Sequence, residues 1–128
     1  MGYYFSKTLT MPFGETVTRV TEELKKEGFG ILTQIDLKET LKKRLNVEFR
    51  EYRILGACNP PFAYQALKAE DKIGLMLPCN VIVQETGEGK TEVAAIDPVA
   101  STSAVENDEL RSIADQVSAK LSRVIENL

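Results

Sequence analysis

The chain has 128 residues, 43% of them hydrophobic and 27% charged, with a formal net charge of −3. That size and balance predict one folded domain, 1–128, with its own core, and exclude a disordered tail or a fibre. The acidic balance supplies no general field to gather nucleic acid. No apolar run approaches the ~20 residues of a membrane helix. The opening Met1-Gly2-Tyr3-Tyr4-Phe5 lacks the basic flank and long apolar stretch of a signal peptide, so a cytoplasmic, reducing location is expected.

Tyr3 to Leu9 reads as a short strand, broken by Pro12 and Gly14. Val17, Val20 and Leu24 fall at helical spacing between Glu15 and Glu27, and Gly28 and Gly30 stop that helix. A second strand is expected over Phe29 to Ile35, with Ile31, Thr33 and Ile35 on one side and Leu32 and Gln34 on the other. Asp36 offers an N-cap with Glu39 as the other half of a capping box. Leu37, Leu41 and Leu45 mark one face of the short helix that comes next, and Asn46 can end it.

Phe49 to Ala57 is the third predicted strand. Asn59 suits an N-cap and Pro60 the first helical position, for a helix to about Ala69. After Gly74 and Pro78 comes a strongly apolar strand from Asn80 to Glu85. Thr86 to Lys90 is a glycine-rich hairpin turn, and Thr91 to Ile96 is a fifth strand. Val99 to Ala104 reads as a link. Asn107 caps the last helix, whose stripe is Leu110, Ile113, Ala114, Val117, Leu121, Val124, Ile125 and Leu128. The sum is an α+β domain: an antiparallel sheet of about five strands with helices packed on one face.

Gly28-Phe29-Gly30-Ile31-Leu32-Thr33, Ile54-Leu55-Gly56-Ala57-Cys58-Asn59-Pro60, Ala66-Leu67, Leu77-Pro78-Cys79-Asn80-Val81 and Ala95-Ile96-Asp97-Pro98 run in this order along the chain. In them the sequence resembles the domain-of-unknown-function family 302. The resemblance implies a fold similar to TATA-binding-protein domains and a homodimer. It implies no activity.

The residues themselves direct attention to two thiols. Cys58 closes one apolar run and Cys79 opens another, each beside an Asn and near a Pro. If strands three and four are antiparallel neighbours, both sulfurs sit at one end of the sheet, and opposed residues there have Cα atoms ~4.5–5.5 Å apart. Such a pair is compatible with a disulfide or a shared ligand. Cys58 also precedes a helix N-terminus, where free N–H groups favour a thiolate.

Several roles fit the pair. The thiols are core residues at strand ends, as free cysteines commonly are. They form a ligand site with Asn59 and Asn80, in a small binding module. They serve a thiol-dependent redox protein or enzyme, for which the missing histidine removes the usual base. Or Cys58 and Cys79 bind a metal such as zinc, which needs further ligands from carboxylates or a second subunit. An interaction scaffold without a small-molecule site completes the set. The missing histidine also forbids a Ser–His–Asp triad. The basic run Lys38, Lys42, Lys43 and Arg44 reads as a solvated helix face rather than a nucleic-acid surface.

Overall fold

The computed structural model describes residues 2–128. Five strands form one antiparallel sheet: β1 (Tyr4–Leu9), β2 (Gly30–Asp36), β3 (Tyr52–Cys58), β4 (Cys79–Gly87) and β5 (Lys90–Ile96), in the spatial order β1-β5-β4-β3-β2. The helices are α1 (Phe13–Lys26), α2 (Leu37–Leu45), α3 (Pro60–Ala69), α4 (Pro98–Ser101) and α5 (Asp108–Glu126), with a 3₁₀ turn over Asp71–Met76.

Period-two alternation decides which side chains meet the helices. Leu55 and Ala57 of β3, Val81 and Val83 of β4, and Thr91, Val93 and Ala95 of β5 are buried on one face. The register places Leu55 against Val81 and Val83 against Val93. Val20 and Leu24 of α1 complete the core with the stripe of α5, where Leu110, Ile113, Ala114, Val117, Leu121, Val124 and Ile125 are all buried. The other face carries Tyr4, Tyr52, Ile54, Ile82, Gln84, Glu92 and Ala94, with Gln84 bonded to both Arg50 and Glu92. The predicted architecture, a five-stranded antiparallel sheet covered on one face, is the one observed.

Several local expectations change. β2 does not keep strict alternation: Ile31 pairs with Ala57 and Thr33 with Gly56, so Leu32 is the extra residue of a bulge. Thr33 and Ile35 therefore turn away from the face that Ile31 shares with the core. β3 begins at Tyr52, opposite Gln84 of β4, rather than at Phe49. β4 and β5 run up to a two-residue turn, Glu88-Gly89, in which Gly89 has φ +70°. The predicted link after β5 contains α4, capped by Asp97, whose carboxylate accepts from the Val99 N–H at 3.0 Å and from the Ser118 hydroxyl at 2.9 Å. The cap of α2 is half a capping box. Asp36 accepts from Glu39 N–H at 3.0 Å, while the Glu39 carboxylate pairs with Lys43 at 2.7 Å.

Gly56 is buried where the chain crosses closest to the sheet. A Cβ there would collide with Thr33 Oγ1 and come within 2.7 Å of Pro78 Cγ. Thr33 can rotate, but the proline ring cannot give way without moving the entry to β4. Gly56→Ala is therefore expected to lower unfolding stability by about 1–3 kcal/mol, the usual cost of an overpacked site. Urea denaturation checks it, and an unchanged midpoint would contradict the crowding at this crossing.

Candidate functional site

α3 leaves the end of β3 and returns over the sheet toward α5. Asn59 occupies its N-cap position and Pro60 its first turn. The Asn59 side chain does not cap the helix, as its position suggested. Its amide nitrogen instead donates to the Glu27 carbonyl at 3.1 Å, tying α3 to the chain leaving α1. Gly28, with φ +89°, leaves the room: a Cβ there would stand 3.1 Å from that same nitrogen. At the other end, the Asn107 amide donates to the Ala69 carbonyl at 2.9 Å while its oxygen accepts from Leu110 N–H at 2.9 Å. One asparagine thus caps α5 and holds the C-terminus of α3.

Between these two fixed ends the helix does not close down on its neighbours. The facing residues Ala63, Ala66 and Ala114 are small. A cavity of about 310 Å³ remains, bounded by β3 and β4, α3, the 3₁₀ turn and α5. Phe29, Phe62, Ile73 and Val117 supply apolar wall, and Leu32 and Leu67, 66% and 44% exposed, belong to its outer rim.

Cys58 and Cys79 both line this cavity, and both are free thiols. β3 and β4 are antiparallel neighbours, as expected, but the sulfurs are offset by one residue: Cys79 pairs with Ala57, and Cys58 with Gly30 on the other side. Burial, and secondarily the neighbouring Cys58, pushes the Cys79 thiol from its ordinary 9.0 up to about 11.

The family model for the domain of unknown function DUF302 matches residues 5–128. The chain belongs to that family. Its fold is also that of an uncharacterized conserved DUF302 protein from Bacillus stearothermophilus, whose crystal structure is 27% identical over 98% of both chains, with a TM-score of 0.89. No curated protein matches the chain.

In this DUF302 domain three of the four predicted site residues come together. Cys58, Asn59 and Cys79 line the cavity, whereas Asn80 does not. One step along β4 from Cys79, Asn80 opposes Gly56 and lies in a groove on the uncovered face with Tyr52, Ile82 and Gln84. Strand alternation, not distance along the chain, separates it from the thiols. Among the described residues no group of three or more His, Cys, Asp or Glu side chains could hold a metal ion, so the zinc reading has two sulfur ligands and no third. No helix among the described residues is long and apolar enough to cross a membrane. Two of the four basic residues of α2 engage local partners, Lys43 with Glu39 and Lys42 with Glu48, at 2.7 and 2.8 Å, and all of these side chains are exposed.

Sequence reasoning missed the cavity walls. Phe62, Ala66, Leu67 and Val117 carry the same apolar periodicity whether they fill a core or surround a space. Only the repeated alanines at Ala63, Ala66 and Ala114 hint that two helices meet through small side chains.

The raised Cys79 pKa sets a pH dependence. The unfolded chain ionises this thiol near 9.0, and the folded chain keeps it protonated to about 11. Its contribution to stability is thus fully present below pH 9 and is lost as pH rises through that window. In a Cys58→Ala variant, the carbon-13 shift of Cys79 Cβ should titrate above 9.0, since burial is the larger cause. Titration at or below 9.0 would contradict the buried setting.

Proposed function

We propose that this chain is a small binding module whose ligand occupies the cavity beside Cys58, Asn59 and Cys79. The observation that carries the reading is the lining: about 310 Å³ of space, open at a rim that includes Leu32 and Leu67, walled almost wholly by apolar side chains. Space of that size lies at the lower end of the range of small-molecule pockets, ~300–1,000 Å³. Apolar walls gain free energy when a ligand replaces water or empty space, and a few polar groups at one end fix orientation. Here those polar groups are the two thiols, the Thr102 side chain and the buried Asn59.

The thiol-enzyme alternative is less well supported. A thiol held protonated to about 11 is a poor nucleophile at neutral pH, and the cavity lining offers no base to take its proton.

Toluene is a suitable first probe. In methyl-resolved NMR it should shift the Ala57, Ala63, Ala66, Leu67 and Val117 signals saturably, and leave Leu9 and Ile54 in place. Ala63→Leu, which grows into the cavity from α3, should weaken that binding by roughly tenfold or more. Ala63→Met repeats the test should the leucine variant fold poorly. Shifts scattered over the sheet's open face, or none at saturating toluene, would sink the proposal.

A further inference from the structure

The cavity's lining also restricts the chemistry of an occupant, a restriction that rests on the binding module proposed above. Among the described residues, every side chain lining the cavity is uncharged. A carboxylate or phosphate placed inside would lose much of its water without gaining a cationic partner, a loss that apolar contacts do not offset. Lys120 stands beside the site, but outside it. Its ammonium lies 6.0 Å from the Phe62 ring centre, and 3.8 Å from Glu27 Oε1, to which Arg123 also binds at 3.1 Å. That cation is paired with Glu27.

Size adds a second restriction. An engineered apolar cavity of ~150 Å³ holds one benzene. At about 310 Å³ this cavity has room for roughly two fused rings. The walls suit aromatic faces. Phe29 and Phe62 offer ring edges and faces, and the sulfurs of Cys58 and Cys79 make favourable contacts at ring edges. Asn59 gives one of its two amide N–H groups to the Glu27 carbonyl, and Thr102 gives its hydroxyl proton to the Pro98 carbonyl, so the lining keeps few free polar atoms, enough for one small hydrogen-bonding group on the ligand.

We infer that the ligand of this cavity is a neutral, apolar, ring-bearing molecule of about bicyclic size, carrying at most one small hydrogen-bonding group, and that the site rejects anions of the same shape. Because the chain has no tryptophan, naphthalene fluorescence can be followed without interference from indole.

The test is a matched pair. At neutral pH 2-naphthol is neutral and 2-naphthoate is an anion of nearly the same shape. Titrated against the folded chain, by fluorescence and calorimetry, 2-naphthol should bind about tenfold or more tighter than 2-naphthoate. Ala63→Leu should weaken 2-naphthol to a similar degree while leaving the far-ultraviolet spectrum unchanged, and Ala63→Met should do the same. Equal or tighter binding of 2-naphthoate overturns the inference but leaves the cavity as a binding site. So does binding of toluene without 2-naphthol, which would mean the space is too small. Binding of 2-naphthol that ignores both Ala63 variants places it elsewhere and also overturns the inference. Failure of toluene and both naphthalenes together removes the binding reading itself.

Discussion

Two asparagine amides hold α3 at its ends. Asn59 binds the Glu27 carbonyl before the helix begins, and Asn107 binds the Ala69 carbonyl where it finishes. Each bond satisfies a backbone oxygen that would otherwise be left over at a helix end or turn, so losing either partner costs ~1–3 kcal/mol where the group is buried. With both ends fixed, α3 cannot slide down onto the sheet. The alanines on its inner side are too short to reach across, and the space between α3, α5 and the ends of β3 and β4 persists.

The thiols acquire their character from that arrangement. Cys79 is the first residue of β4 and points to the helix side of the sheet with Val81 and Val83. It is partly buried against the apolar wall of the cavity, and that burial raises its pKa. A helix N-terminus lies next to Cys58, where free N–H groups favour a thiolate, while the side chains lining the cavity around both sulfurs are uncharged. The cysteines singled out in the sequence therefore lie side by side in the lining of the cavity.

Much of the fold was legible because it is written in local rules. The α5 stripe from Leu110 to Ile125 is buried residue for residue as its spacing predicted. Asp36, Asn107 and the Glu88-Gly89 turn took the positions their chemistry favours. The departures share one cause, which is that tertiary partners outvote local pattern. The bulge at Leu32 reverses the facing of Thr33 and Ile35, because Thr33 must meet Gly56. Phe49 and Glu51 have strand composition but lie before Tyr52, where the pairing of β3 with Gln84 of β4 begins. Asn59 forgoes its own helix for the Glu27 carbonyl, a bond across 32 positions that no local pattern records. The site was legible in half. The meeting of Cys58 and Cys79 at one end of the sheet followed from one apolar run that ends in cysteine and another that begins with it, whereas the space beside them depends on how far apart two helices are held.

That separation is open to direct inspection. Crystals of the chain pressurised with xenon should show xenon density between Ala63, Ala66 and Ala114, in a cavity of about 310 Å³, with α3 unmoved. Xenon enters dry apolar cavities without needing a polar partner, so the result depends on the space alone. Crystals with no xenon at that position, and α3 seated against Leu110 and Val117, would contradict the held-apart helices at their root.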